Sequence, residues 1–330
     1  YSKLYDFDTI DGGGPSGSLI SDGTYLYGMA YSSNMVFKIK LDGTGFTKIL
    51  DLMTLQPYGA LPHGSLLFDG TFLYGLTAIG GQYGYGTFFR VMPDGTGDTV
   101  LYSFTSQAKK PYGTLVSDGT YFYGSTSDGS NYTGKIFKIK PDGSAFQIIY
   151  NTFGGKSAIA PEGTMIIDGG YLYGMMPSGP QNVFKIKTDG TGYTTLIDFY
   201  ASAAVSEYPG EFLYSDGTYL YGTLANIKDP LYEGSVFKIK MDGTNFSHLL
   251  KFENRTISGP LGALTYDSTF FYGMRQSGGV KNAGTIFKIQ PDGSGYSDIF
   301  DFDGINGGFP TGALLYDSTF LYGMTPYGGI

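Results

Sequence analysis

The sequence predicts an all-β fold assembled from seven copies of one four-stranded unit, on three observations. A heptapeptide of the form Asp-[Gly/Ser]-x-[Tyr/Phe]-[Leu/Phe]-Tyr-Gly recurs seven times, with closing glycines at 28, 75, 124, 174, 222, 273 and 323, a period of 47 to 51 residues. A second segment, [Val/Ile/Phe]-Phe-[Lys/Arg]-[Ile/Val]-x-x-Asp-Gly, follows each of the first six copies, from Val36-Phe37-Lys38 to Ile286-Phe287-Lys288. No stretch shows the apolar spacing of a helix, whereas short β-type runs alternate with turn residues throughout. Repeats of this length mark a solenoid or a ring built from one supersecondary unit.

Each period holds four runs, lettered a to d in chain order. Strand a is small and then apolar, as in Gly64-Ser-Leu-Leu-Phe68. Strand b is the aromatic run, such as Tyr25-Leu-Tyr27. Strand c is Val36-Phe-Lys-Ile-Lys40 and its copies, and strand d is typified by Tyr193-Thr-Thr-Leu-Ile-Asp-Phe199. Asp-Gly between a and b and again between c and d supplies the chemistry of tight hairpins. Four antiparallel strands repeated in this way read as a blade. The chain is therefore expected to be a seven-bladed β-propeller in a single domain, 1–330. Its blades fall at about 15–52, 62–105, 111–152, 161–200, 209–252, 260–303, and 310–330 with 1–8.

The small residues that open strand a fit the crowded innermost position of a propeller, with the aromatics of b and c filling the wedge that widens outward. The seven tyrosines from Tyr27 to Tyr322 and the six cations from Lys38 to Lys288 recur in every copy of their motifs. Such uniformity reads as packing, with the lysine stems along apolar surface and their heads paired or hydrated.

The segment from Leu101 to Gly143, LYSFT…PYGTLVSDGTYFYGST…GKIFKIKPDG, resembles the GloVer repeat, a tandem repeat of secreted bacterial proteins. The resemblance covers essentially the whole chain and is specific in Leu-Tyr-Gly, Gly-Thr-[Val/Ile]-Phe-Lys and the Pro-x-Gly before strand a. The a–b turn is shorter than the family often has. The resemblance implies an exported, propeller-like protein, extracellular or on the cell surface, and carries no catalytic residue over.

The strand count is uneven. The chain opens in a d-type run, Tyr1-Ser-Lys-Leu-Tyr-Asp-Phe7, and the seventh b run is followed only by residues to Ile330, which leaves seven a, b and d runs but six c runs. The N-terminal strand is expected to complete the last blade, which lacks one strand. Three readings stay open: residues beyond 330 supply it, the blade is short, or a neighbouring molecule fills the slot, since an unpaired edge invites a strand. In the last reading Tyr1, Leu4, Tyr5 and Phe7 form the assembly strand.

Because a–b and c–d turns share one end of each blade, the d–a and b–c loops share the other, and it is there that length and content vary. Loops of this kind on a rigid scaffold carry binding sites. The middle residue of Pro-x-Gly reads Ser16, His63, Tyr112, Glu162, Gly210 (in a departing Pro-Gly-Glu211), Leu261 and Thr311, a ring at the channel mouth. His63 with Glu162 offers acid–base chemistry in principle. Tyr83, Tyr85, Tyr112 and Tyr208 are candidate stacking platforms for a glycan or peptide. His248, on strand d, is expected at the surface. Asp6, Asp8 and Asp11 in one glycine loop and Asp301 and Asp303 in another offer the hard oxygen ligands Ca²⁺ takes, although their spacing is not that of an EF-hand. No other cofactor is expected. Sequons stand at Asn131, Asn245 and Asn254.

Composition narrows the function. With 21 Lys and Arg against 29 Asp and Glu, a net charge of −8, the chain has no global attraction for nucleic acid or anionic lipid. It has no long apolar run for a spanning helix. No cysteine means no disulfide and no thiolate, and two histidines leave hydrolytic triads and zinc sites short of parts. Of the acidic residues, 13 belong to the repeated turns. The first expectation is a non-enzymatic structural subunit that associates with itself or another surface component, by strand complementation into a filament. The alternatives are a glycan- or peptide-binding module on the variable-loop face, and a polysaccharide lyase or glycosidase using Glu162 or Glu211 with Tyr112.

Overall fold

The computed structural model describes residues 1–7, 13–127, 134–152, 163–177, 181–199, 207–226, 234–252, 259–260 and 262–328; at Ser16, Glu207, Tyr208, Glu211 and Asn226 it describes the backbone alone. The described residues form an all-β propeller of four-stranded antiparallel blades, in which each strand pairs with its neighbour in the chain. Blade 1 comprises β1 (Pro15–Ser21), β2 (Tyr25–Ala30), β3 (Met35–Lys40) and β4 (Thr47–Asp51). Blade 2 comprises β5 (Gly59–Phe68), β6 (Leu73–Gly80), β7 (Thr87–Val91) and β8 (Thr99–Ser103). Blade 3 comprises β9 (Pro111–Ser117), β10 (Phe122–Thr126), β11 (Lys135–Ile139) and β12 (Gln147–Asn151). Blade 4 comprises β13 (Ile166–Asp168), β14 (Tyr171–Met176), β15 (Asn182–Lys187) and β16 (Thr194–Asp198). Blade 5 comprises β17 (Glu207–Ser215), β18 (Tyr219–Asn226), β19 (Gly234–Lys240) and β20 (Ser247–Lys251). Blade 6 comprises β21 (Thr265–Tyr266), β22 (Phe271–Arg275), β23 (Thr285–Ile289) and β24 (Ser297–Asp301).

The seventh repeat corrects the predicted blade count. Among the described residues it forms a two-stranded sheet, β25 (Leu315–Tyr316) with β26 (Leu321–Tyr322), so six blades are four-stranded, not seven. The N-terminal run, expected to complete the last blade, forms no ladder with it. Residues 1–7 carry no strand pairing. An outermost strand pairs with a third strand, and among the described residues the seventh repeat has none.

Contacts divide the chain into two compact units, Ser2–Thr164 with blades 1 to 3, and Tyr1 with Met165–Ile330, holding blades 4 to 6 and β25–β26. In the first unit, Leu4 packs on Gly43 of the β3–β4 turn, Tyr5 stacks on Phe46 at 4.1 Å, and Phe7 meets Phe37 edge-on at 5.1 Å. Four of the six d strands make the same approach to the following blade: Ile49 to Gly95, Leu101 to Gly143, Leu196 to Gly243 and Leu249 to Gly293. Residues 2–7 thus do the packing of an outermost strand toward blade 1 without its hydrogen-bond ladder. In the second unit Tyr1 stacks on Phe300 at 4.3 Å and donates its hydroxyl to the Asn306 carbonyl.

The core lies between successive blades. Tyr27, Val36 and Leu50 of blade 1 bury against Leu66, Leu73 and Phe89 of blade 2. Tyr74 and Phe88 bury against Leu115, Phe122 and Phe137. Tyr173, Val183 and Leu196 meet Leu213, Leu220 and Phe237, and Tyr221, Val236 and Phe252 meet Leu264, Phe271 and Phe287. The first strands of neighbouring blades touch backbone to backbone. A Cβ on Gly17 would lie 1.9 Å from the Gly64 carbonyl oxygen, and one on Gly64 2.1 Å from that of Gly113. Their φ values of +75° and +73° also suit glycine, and each sits where the strand register shifts. Beside them the Ser18 amide donates to Ser65 Oγ at 2.8 Å and the Ser65 amide to Thr114 Oγ1 at 2.9 Å.

Candidate functional site

The two ends of the blades are built differently. At the turn end, Asp22 Oδ1 accepts the amides of Thr24 and Tyr25, both at 2.8 Å, while Oδ2 accepts the Tyr27 hydroxyl at 2.6 Å. The same unit recurs at Asp69 with Tyr74, Asp118 with Tyr123, Asp216 with Tyr221, Asp267 with Tyr272 and Asp317 with Tyr322. In blade 4, Asp168 Oδ2 takes the Ser215 hydroxyl at 3.3 Å. At Asp118 burial raises the carboxyl pKa, but the Tyr121 amide, the Tyr123 hydroxyl and the Thr120 amide outweigh it, and the net shift is downward. Burial and the aspartate together push the Tyr272 and Tyr322 hydroxyls up to about 12. In the c–d turn, Asp42 Oδ1 accepts the Thr44 hydroxyl at 2.7 Å and its amide at 2.9 Å.

The repeated cations behave as packing, as their uniformity predicts. Lys38 lies over the Tyr25 ring at 4.9 Å and donates to the Pro93 carbonyl of the next blade at 2.8 Å. Lys185 and Lys238 lie over Tyr171 and Tyr219 and reach the Met241 and Pro291 carbonyls. These side chains tie one blade to the next turn and present no basic ring to a ligand.

The loop end holds the candidate site. His63, on β5, and Tyr112, on β9, come together with ring centroids 4.3 Å apart. Tyr31, from the β2–β3 connection, meets His63 edge-on at 5.1 Å. Three aromatic rings from blades 1, 2 and 3 thus form a row. Tyr31 is 37% exposed, and His63 and Tyr112 are half-buried. Burial alone holds the His63 pKa below its ordinary value, with no charged group contributing, so the imidazole is neutral at neutral pH. Two further tyrosines belong to the same end of blade 2. Tyr83 is 52% exposed, and Tyr85 packs on the core with Lys109 Nζ 5.3 Å above its ring.

Ser16 and Tyr208 are placed by their backbones in β1 and β17, Thr311 is exposed before Gly312, Gly210 is buried in β17, and Glu162 and Leu261 lie outside the described residues. Glu211 is likewise placed by its backbone alone. Tyr31 was missed because its loop matches no other repeat. The signal was an aromatic directly after strand b, at a position occupied elsewhere by small or polar residues.

For calcium, Asp8 and Asp11 lie outside the described residues. Asp6 pairs with Lys3 at 2.5 Å, and Asp303 Oδ1 accepts the Ile305 and Asn306 amides at 2.9 and 2.7 Å. Among the described residues no three His, Asp or Glu gather as a metal site. His248 is half-buried, not a surface residue: Nδ1 lies 3.1 Å from Ser235 Oγ, and burial, with Lys251 nearby, lowers its pKa to about 4. Of the sequons, Asn245 is exposed in the β19–β20 turn, while Asn131 and Asn254 lie outside the described residues. Among the described residues no helix is long and apolar enough to cross a membrane.

Comparison with solved structures returns propellers. The GH74 xyloglucanase from Xanthomonas campestris is similar at a TM-score of 0.66 with 10% identity, over 96% of this chain and 51% of that one. An oligogalacturonate lyase in complex with manganese is similar at 0.62 with 13% identity, over 88% and 78% of the two chains. A streptogramin B lyase is similar at 0.57 with 14% identity, over 91% and 87%. At these identities the likeness concerns the fold. No curated protein matches the sequence. The profile of the Gloeobacter/Verrucomicrobia repeat matches residues 30–183 and 182–330, nearly the whole chain, in agreement with the tandem motifs and the blades they form. The chain belongs to the Gloeobacter/Verrucomicrobia repeat family.

Proposed function

We propose that this protein is a non-enzymatic propeller whose loop end binds a saccharide at the surface of, or outside, the cell. The observation that carries the reading is the aromatic row Tyr31–His63–Tyr112, with Tyr83 exposed on the same end of blade 2. Rings held by neighbouring rigid strands offer flat apolar faces with polar tips at little entropic cost. A sugar ring presents C–H faces to such a surface and hydroxyls to its rim. The neutral His63 suits this, since a charge would have to be desolvated under the ligand. Binding is preferred over hydrolysis because a glycosidase needs two carboxyls flanking one bond, and among the described side chains the rings that meet His63 are those of Tyr31 and Tyr112.

The test is electrophoretic retardation of the full chain in gels cast with a panel of plant, algal and bacterial polysaccharides, followed by calorimetry on any that retard it. Tyr112→Ala is expected to weaken binding about tenfold or more, the effect of losing roughly 1.4 kcal/mol at one contact. Retardation by none of the panel, or affinity unchanged in both Tyr112→Ala and His63→Ala, ends the reading.

A structural, self-associating subunit is the second reading. One observation favours it: Phe309 and Tyr327 meet edge-on at 5.7 Å and stay 40% and 65% exposed, apolar surface of the kind that mediates contact between copies. Light scattering behind size exclusion decides it, with a concentration-dependent ladder expected and a monomer at all concentrations ruling it out.

A further inference from the structure

Four repeats place a residue with left-handed backbone immediately before the proline of Pro-x-Gly. These residues are Gly14, Leu61, Lys110 and Phe309, with φ of +82°, +54°, +51° and +55°. The conformation is shared, and the side chain it carries is not: none, an alkyl, an ammonium and a ring. A side chain at such a φ costs free energy that glycine does not, so the fold does not ask for a lysine at 110.

Lys110 is the charged member of the four, and its backbone is fixed beside the aromatic row. Its amide donates to the Tyr85 carbonyl at 2.9 Å, and its carbonyl accepts the Ser127 amide at 2.9 Å. Two residues on, Tyr112 pairs with Ser125 of β10 and brings its ring against His63. Lys110 is exposed, and among the described residues neither an ion pair nor a hydrogen bond engages its Nζ. Lys109, by contrast, is half-buried with its Nζ over the Tyr85 ring.

The segments that carry the rings contain no acid. Residues 29–35, 58–66, 76–87 and 103–114 hold Tyr31, His63, Tyr83, Tyr85 and Tyr112, and in a chain with 29 Asp and Glu they include neither. Their full charges are Lys109 and Lys110. Asp128 lies outside the described residues. Of the acidic residues, 13 stand in the repeated turns at the other end of the blades. Exposed charges farther away than the screening length, about 10 Å at 0.1 M salt, act weakly on a ligand here.

We propose that the saccharide bound by the row is anionic and that Lys110 selects it, meeting a carboxylate or sulfate group on a sugar whose ring faces Tyr112. The inference rests on the saccharide reading of that site and adds the charge of its ligand. Aromatic faces hold neutral and acidic sugars alike, so discrimination falls to a charged group at the edge. A lysine ammonium is a compact point charge on a flexible stem, able to meet either anion.

The experiment runs the full chain in gels cast with two backbone-matched pairs, beside the neutral members of the panel. Polygalacturonate is set against its fully methyl-esterified form, and ι-carrageenan against its desulfated product. Retardation by an acidic member and less by its uncharged partner is expected, and the pair that responds tells carboxylate from sulfate. Retardation by neutral polysaccharides alone, or by both members of a pair equally, overturns the inference and leaves the saccharide reading standing; retardation by none ends both. In calorimetry with the acidic member, Lys110→Gln is expected to weaken binding about threefold and Lys110→Glu about tenfold, with affinity for the uncharged partner unchanged. Neither variant adds backbone strain, because a side chain already occupies that φ. Lys281→Glu makes the same change of charge at an exposed lysine of the β22–β23 connection and is expected to leave the affinity as it was. An equal loss in Lys281→Glu would make the effect one of net charge and overturn the proposal, as would unchanged affinity in Lys110→Glu.

Discussion

The turn end and the loop end of each blade are joined by the same strands, yet they obey different rules. At the turn end one aspartate makes three hydrogen bonds, two to amides and one to a tyrosine hydroxyl, and the arrangement recurs at Asp22, Asp69, Asp118, Asp216, Asp267 and Asp317. At the loop end one amide–carbonyl bond closes strand d onto strand c in all six blades, from Leu52 to Asn34 through Phe302 to Gly284, but the connections beyond it differ in length and content, and among the described residues the aromatic row Tyr31–His63–Tyr112 spans three blades. Repetition in this chain therefore marks what holds a blade together, and departure from repetition marks where a ligand can be distinguished. If so, a change at a repeated position should cost stability and leave binding intact in the folded fraction, and a change at the loop end should do the reverse.

The largest effect belongs to the repeated phenylalanine. Phe137 is fully buried and touches Phe104 at 5.3 Å and Phe146 at 5.5 Å between ring centroids. Phe137→Ala is expected to destabilise by about 3–5 kcal/mol, the usual result of opening a cavity of that size, read from the midpoint of urea denaturation. Tyr112→Ala should shift that midpoint by less than about 1 kcal/mol, since it is half-buried; a larger shift would make Tyr112 a packing residue and weaken the comparison.

Next comes the turn aspartate. Asp118→Ala removes acceptors for the Thr120 and Tyr121 amides and the Tyr123 hydroxyl, and should cost about 1–2 kcal/mol, as the loss of a comparable capping side chain does. Acid adds a sharper test. Hydrogen bonds from the turn hold these carboxyls below the ordinary aspartate pKa, so their contribution is fully present above about pH 4 and is lost as pH falls through the lowered folded values. Denaturation midpoints should thus fall steeply below pH 4, and Asp118→Ala should flatten that limb. An acid limb identical in wild type and variant would show that the hydrogen bonds seen at this turn carry no linkage.

The smallest effect concerns two turns that depart from glycine. Ser268 and Ser318 hold φ of +79° and +80° where Gly23, Gly70, Gly119 and Gly217 hold +84° to +95°. Relief of that left-handed strain against the extra entropy of glycine leaves Ser268→Gly more stable by about 0.5 kcal/mol. An unchanged or lowered midpoint would mean that the Asp-Ser turns are held by something other than the local bonds they share with Asp-Gly.

Most of the fold was legible because each element is repeated: the strand order, the tight turns, and the small residues between first strands all follow from period and composition. The blade count was not. A d-type run at Tyr1–Phe7 looked sufficient to finish a blade, but a ladder needs a partner strand, and side-chain stacking on Phe46 and Phe37 holds the run in its place without one. The pairing of Asp22 with Tyr27, or of Gly28 with Phe37, was also hidden, since linear motifs show which residues recur and not which face each other across a sheet. At the site, His63 and Tyr112 were found because they fill the same variable position on successive first strands. Tyr31 was not, because its loop has no counterpart to align with.

The backbone contacts among Gly17, Gly64 and Gly113 have a consequence for interchange. Where two modules meet through side chains, each junction must be matched to its own pair. Here the first strands meet as bare main chain, with a serine or threonine hydroxyl beside them, and the side chains that face each other further out belong to the repeated motifs, so each of these blades offers its neighbours nearly the same joint. A repeat could be swapped for another within such a row, carrying its own loop with it, and the joint would not register the change. The recognition surface is in this sense a set of cartridges, and its composition can be edited one blade at a time.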